Sequence, residues 1–209
     1  HGHFINQALS QPQALNFLAH FHLAKNTDAS RVGALLGDFV RGTPESLRKQ
    51  FPDKVIDGIM LHRAVDQFTD SHASFLDAKK FLSPERRRFA GIIIDIFFDH
   101  FLARHWQEYS DGPLNLFISE VHRILDRRTD WLTPELEALV PRMQAENWLG
   151  TYATIDGLAL TFRRVSSRRE FLSPLVGAEE DLTSHYHSFS KAFHIFYPQV
   201  MEFAKIRHS

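Results

Sequence analysis

The chain has 209 residues, with 25 acidic side chains against 24 lysines and arginines, and a formal net charge of −1. At 44% hydrophobic and 23% charged it can bury a core as one domain, and its near-zero charge argues against a dedicated binder of nucleic acid. It has 13 histidines and no cysteine, which excludes a disulfide framework, a thiol nucleophile, thiolate zinc sites and cysteine-held iron–sulfur clusters.

Residues 1–14, HGHFINQALSQPQA, have neither the basic start nor the apolar centre of a secretory leader and read as an expression scar or loose extension, with one domain over 15–209. No apolar run approaches the ~20 residues of a membrane span, so neither a membrane nor an export route is expected and the cytoplasm is the expected location. Periodicity near 3.6 predicts helices over 16–25, 30–41, 53–70, 72–81, 84–109, 113–127, 134–147, 150–167 and 179–205. Ser83-Pro84-Glu85 and Thr133-Pro134-Glu135 each offer a cap, a first-turn proline and an acid, and Phe51-Pro52-Asp53 opens a helix without a good cap. Pro198 is predicted to kink or shorten the last helix. With no strand alternation, repeat or linker, the expected fold is all-α, a single-domain helical bundle.

Four segments place histidine or aspartate on apolar helix faces. In NFLAHFHLA (16–24), His20 and His22 point to opposite sides of a helix, so one of them at most easily serves a shared site. In LLGDFVRG (35–42), Asp38 sits in an apolar stretch with Arg41 three residues on, a spacing that also suits a simple ion pair. In GIMLHRAVDQFTD (58–70), His62 and Asp66 lie one turn apart on the buried side with Arg63 beside them; read plainly, they are a surface ion pair. In GIIIDIFFDHFLARHW (91–106), Asp95 and Asp99 stand one turn apart and His100 points into the apolar arc. A buried carboxylate needs a partner, a proton or a metal, so the alternatives are a salt bridge and a core histidine, or a cation near both acids.

Together these segments resemble the way helical bundles build a metal site in their core. Oxygen and imidazole without sulfur suit Mn²⁺, Mg²⁺ or Fe²⁺, with zinc also possible. There is no Glu-x-x-His, G-x-S-x-G, P-loop or G-x-G-x-x-G, which disfavours a ferritin-like di-iron protein, an α/β-hydrolase, a P-loop NTPase and a Rossmann enzyme. Two basic runs stand out: Arg86, Arg87 and Arg88, and Arg163, Arg164, Arg168 and Arg169. Each is either a solvated or internally paired face, or a docking surface for an acidic partner.

NFLAHFHLA, GDFVRG, GIMLHRAVDQFTD, DIFFDHFLARHW and SHYHSF…FYP, in that order, resemble the acyl carrier protein phosphodiesterase family from about Leu15 to the C-terminus. The resemblance implies an all-helical, divergent relative of the HD-domain phosphohydrolases. It also implies hydrolysis of the phosphodiester between 4′-phosphopantetheine and a serine of holo-acyl carrier protein, a divalent metal, most often Mn²⁺, and an acidic protein substrate. The chain has no His-Asp dipeptide; Asp99-His100 is the reverse order, so ligands cannot be carried over from that motif. On helix faces, the expected metal shell is His62, Asp66, Asp99 and Asp38, with His20 or His22 as a further ligand. Arg41 and Arg63 are expected to neutralise the phosphodiester, His100 or Asp95 to position water or protonate the leaving serine, and the two arginine runs to dock the carrier protein. The alternatives are a helical metal phosphohydrolase acting on a nucleotide or other small phosphoester, and a non-catalytic helical module that binds acidic proteins. A haem binder is a distant further reading.

Overall fold

The computed structural model describes residues 16–208, and among them there is no strand. The helices are α1 (Phe17–Leu23), α2 (Asp28–Leu36), α3 (Pro44–Leu47), α4 (Asp53–Ser71), α5 (Ala73–Ala78), α6 (Ala90–Arg104), α7 (Trp106–Tyr109), α8 (Leu114–Arg127), α9 (Pro134–Ala145), α10 (Trp148–Thr151), α11 (Ile155–Ser166), α12 (Glu179–Ser184) and α13 (Tyr186–Ile206). The extension expected over 1–14 lies outside the described residues.

Caps set several boundaries. Thr27 accepts from the Ser30 amide at 3.2 Å, so α2 starts ahead of its predicted position, and it ends at Leu36, leaving Gly37, Asp38 and Phe39 in a turn. Thr133 caps α9 as its motif predicts, accepting from the Leu136 amide at 3.4 Å. Ser83-Pro84-Glu85 does not open a helix. The Ser83 amide and hydroxyl both reach Asp181, at 3.1 and 3.0 Å, and Arg86 donates to the carbonyls of Pro174 and Val176. These ties hold 83–89 as a turn and a 3-10 segment, so the long helix predicted over 84–109 is α6 from Ala90, followed by α7. The segment 179–205 breaks at His185 into α12 and α13, and α13 runs through Pro198 instead of ending there.

Helix α6 is the axis of the bundle. Ile93, Ile94, Ile96, Phe97, Phe101 and Leu102 point to different sides and are all fully buried. Apolar burial on every side explains its composition. Helices α2 and α4 approach backbone to backbone, because a Cβ on Gly33 would lie 2.7 Å from Gly58 Cα.

Helix α1 has no cap from its own chain neighbour Asn16. Asp99 of α6 supplies it instead: its Oδ2 accepts from the Leu18 amide at 2.9 Å and its Oδ1 from the Ala19 amide at 2.8 Å. These are first-turn donors with no helical partner of their own, and the positive end of the helix favours a carboxylate. Burial still pushes Asp99 up to about 7, against the pull of those two amides. Folded Asp99 therefore holds its proton more tightly than an unfolded aspartate, near ~3.9. Its contribution to stability is greatest below that value and declines as pH rises to about 7. The full decline is of order 4 kcal/mol. Urea unfolding of wild type and Asp99→Asn at a series of pH values checks this: the stability difference between them should change with pH across that window. Asp99→Ala, which strips two buried amides of their acceptor, should cost about 2–4 kcal/mol.

Candidate active site

His62 lies on the buried side of α4, against the end of α2. Its Nδ1 is 2.7 Å from the carbonyl oxygen of Ala34, which only accepts, so Nδ1 carries a proton. Gly37 makes room for the ring: a Cβ there would overlap the imidazole. With Nδ1 fixed as donor, Nε2 of a neutral ring presents a lone pair. It faces Asp38 Oδ1 and Asp66 Oδ2, each 3.2 Å away.

His20, the residue after the two α1 amides that Asp99 caps, completes the group. Its Nε2 is 3.1 Å from Asp66 Oδ1. The His20 and His62 rings stack with centroids 3.7 Å apart and planes inclined by 17°. One Asp66 carboxylate thus sits between two imidazoles, and ligand atoms of His20, His62 and Asp66 all fall within 4.8 Å of one another. The histidines are buried, but the Asp66 side chain is 45% exposed, so the group opens to solvent at Asp66.

The electrostatics favour added positive charge, as a proton or as a cation. Burial works against a charged His62, but Asp38 and Asp66 overcome it and hold its pKa well above the ordinary value. Burial pushes Asp66 up, while His20 and His62 pull it strongly down, and the histidines prevail. Asp95 lines a small cavity with His20, Asp66 and Thr69. Burial, and then the charges of Asp66, Asp70, Asp99 and Asp38, drive its carboxyl well above the usual range. Carboxylate oxygens facing a lone pair on Nε2 have no proton to share. Either a second proton sits on the ring or a metal ion lies between the groups. Two metal bonds of ~2.1 Å at a tetrahedral angle place their donor atoms about 3.4 Å apart, close to the 3.1 and 3.2 Å contacts. The residues therefore fit a divalent ion. The Ala34 carbonyl, by fixing the tautomer of His62, is the outer partner that metal-binding histidines ordinarily have.

The other expected site residues are placed as follows. His22 points away from His20 across α1. Its Nδ1 accepts from the Tyr197 hydroxyl at 2.8 Å, its Nε2 donates to the Tyr109 carbonyl at 3.1 Å, and burial lowers its pKa to about 4. Both oxygens of Asp99 are engaged at α1. His100 donates from Nδ1 to the Tyr152 carbonyl at 2.8 Å, its Nε2 meets the Tyr186 hydroxyl at 3.0 Å, and burial lowers its pKa. Arg63 donates to the carbonyls of Val40 and Gly42 at 3.0 and 2.7 Å, which pins the segment after Asp38, and Arg41 is exposed beside it.

In the basic runs, Arg86 is spent on Pro174, Val176 and Asp181, and Arg87 donates to the Leu82 carbonyl at 3.1 Å. Arg88 lies over the Phe89 ring at 4.6 Å. Arg164 pairs with Glu146 at 3.0 Å and Arg168 is partly buried, while Arg163 and Arg169 are exposed. Phe89 stacks on Phe171 at 6.4 Å, which brings the two runs to either side of the segment 170–176. Sequence reasoning passed over Ala34, and it noted Gly37 only as the small residue before Asp38. The signal for a close approach was there in Gly33 within α2 and Gly37 just past its end, with a third glycine, Gly58, opposite on α4.

Comparison with known proteins bears on the same residues. A family profile described as acyl carrier protein phosphodiesterase matches residues 15–200. Proteins named acyl carrier protein phosphodiesterase are similar along almost their whole length. That of Pectobacterium atrosepticum is 38% identical over 91% of this chain and 98% of its own. Those of Klebsiella pneumoniae and an Enterobacter species are 37% and 38% identical over the same shares. No solved structure matches. The match spans α1, α4 and α6, the helices that carry His20, His62, Asp66 and Asp95, and the turn after α2 that carries Asp38, and so this chain belongs to the acyl carrier protein phosphodiesterase family.

Proposed function

We infer that this chain hydrolyses the phosphodiester that links 4′-phosphopantetheine to a serine of holo-acyl carrier protein, releasing apo-carrier protein and 4′-phosphopantetheine. The convergence of His20, His62 and Asp66 around a solvent-open point carries the reading, within a family whose named members share this activity. A divalent ion, Mn²⁺ first and Mg²⁺ or Fe²⁺ next, is held by these three residues with Asp38 alongside. When bound, such an ion supplies a Lewis acid that lowers the pKa of water and offsets phosphate charge.

The residues around it divide the remaining work. Asp38 and the Ala34 carbonyl orient His62 from opposite sides of the ring. Asp99 fixes the start of α1 and with it the height of His20. Arg63 holds the 40–42 segment and leaves Arg41 exposed for the phosphate. Asp95 lines the cavity beside Asp66, and its surroundings favour the protonated form, the one that donates a proton to the departing serine oxygen. His100, with both nitrogens engaged, is less suited to that step.

An acidic carrier protein needs a positive face. Arg88 and Arg169 on either side of the 170–176 segment, with Phe171 and Val176 exposed between them, support one of mixed charge and apolar character. No helix of the described residues is long and apolar enough to cross a membrane, and a cysteine-free chain is in keeping with action in the cytoplasm.

The central test is metal analysis of purified protein together with a mass-based assay of holo- to apo-carrier protein. Chelator should abolish turnover and Mn²⁺ restore it. His62→Ala and Asp66→Ala should lose the ion and at least ~100-fold in turnover. Full turnover in metal-free protein would sink the reading, whereas turnover of small nucleotides but not of holo-carrier protein would favour the general phosphohydrolase. Asp95→Asn should keep the ion and lose roughly 10²–10⁴-fold in kcat; retained kcat would remove Asp95 from proton transfer. Reversing charge in Arg88→Glu with Arg169→Glu should lower kcat/KM for holo-carrier protein about tenfold or more at low salt, less at high salt, and leave a small phosphodiester unaffected.

A further inference from the structure

We propose that His105, Glu108 and His194 form a second cation site, separate from the buried group, that takes Zn²⁺ and clamps the α6–α7 corner onto α13. His105, just past the end of α6, and Glu108 in α7 lie three residues apart, and His194, in the middle of α13, reaches them from far along the chain. One ligand atom from each falls within 4.8 Å of the others. Glu108 divides its carboxylate between the rings: Oε1 is 2.9 Å from His105 Nδ1, and Oε2 is 3.6 Å from His194 Nε2. The two imidazoles meet edge to face with centroids 4.6 Å apart.

The tautomer of His194 is already set for a metal. Its Nδ1 is 2.8 Å from the Ser190 carbonyl one turn back on α13, so Nδ1 is the donor and Nε2 presents its lone pair toward Glu108. A lone pair and a carboxylate at 3.6 Å make no hydrogen bond with each other. They are the separation of two ligands on one tetrahedral ion, about 3.4 Å for bonds of ~2.1 Å. His105 donates to Glu108 in the metal-free arrangement, and moving its proton to Nε2 frees Nδ1 as the third ligand.

Two imidazoles and one carboxylate, with the fourth position open to water, is a donor set that suits Zn²⁺ and lacks the many oxygens that Ca²⁺ or Mg²⁺ requires. His105 and His194 are each about one-third exposed, at 32% and 34%, so an ion reaches them from solvent without the bundle opening. None of the three residues belongs to the His20, His62 and Asp66 group. An ion here would join the C-terminal end of α6, whose Asp99 carries α1, to the longest helix of the fold.

Equilibrium dialysis of the full chain against Zn²⁺, paired with melting curves, tests this. Wild type should bind one more Zn²⁺ per chain than His105→Ala or His194→Ala. Its melting temperature should rise with Zn²⁺ by an increment that these variants lack, while carrier-protein turnover stays as in wild type. Glu108→Gln keeps the size of the side chain and its bond to His105, so it guards against misfolding, and should weaken Zn²⁺ at this site about tenfold or more. Equal Zn²⁺ stoichiometry and equal thermal response in wild type and all three variants would overturn the proposal. So would loss of all bound Zn²⁺ on Asp66→Ala alone, which would place the zinc in the buried site.

Discussion

The contact on which the site depends is the one between Gly33 and Gly58, where α2 and α4 touch through their backbones. Side chains at either position would hold the helices apart by the width of a methyl group or more. At that larger spacing the Ala34 carbonyl would not reach His62 Nδ1 at 2.7 Å, and the imidazole would lose the acceptor that fixes its tautomer. Gly37, one turn further along, yields the space the ring occupies. Helix propensity alone would disfavour glycine in these helices by about 1 kcal/mol each relative to alanine. The cost is offset by a close approach that no other residue permits.

With the ring fixed, charge does the rest. Asp38 and Asp66 face one imidazole, Asp66 also faces a second, and Asp95 lies against the same cavity. Apolar helices surround the group, so its carboxylates feel each other strongly. Their charges favour the protonated forms of both His62, where burial opposes this, and Asp95, where burial adds to it. The divalent ion proposed here would do the same neutralisation with one particle in place of protons. Ion binding and proton release would then be two sides of one equilibrium, in which affinity would rise with pH until the imidazoles are neutral.

How much of this was legible in the sequence differed from residue to residue. The all-α fold follows from periodicity, and α4, α8 and α9 lie within a residue or two of their predicted ranges, because proline and threonine at their starts are local signals. The start of α6 was not local. Ser83 and Arg86 are claimed by Asp181 and by carbonyls at 174 and 176, almost a hundred residues away, and no window around 83–89 carries that information. His62 and Asp66 were legible as a pair because one helix face holds both. The choice between His20 and His22 was not, since helical geometry says that they diverge but not which one meets α4. The structure turns His20 to Asp66 and His22 to Tyr109 and Tyr197.

Asp95 and Asp99 show the same limit most clearly. One turn apart on one helix, they looked like two carboxylates sharing a cation, since repulsion at that spacing asks for one. Both are indeed pushed upward by burial, but their surroundings give them different tasks. Asp99 meets the bare amides at the start of α1, and they offset part of its burial without any ion. Asp95 has carboxylates for neighbours instead, and burial together with their charges holds its carboxyl well above the usual range. Spacing on a helix fixes which groups share a face. What they become is decided by the element packed against that face, and α1 reaches Asp99 with the amides of Leu18 and Ala19 and Asp66 with the next residue, His20.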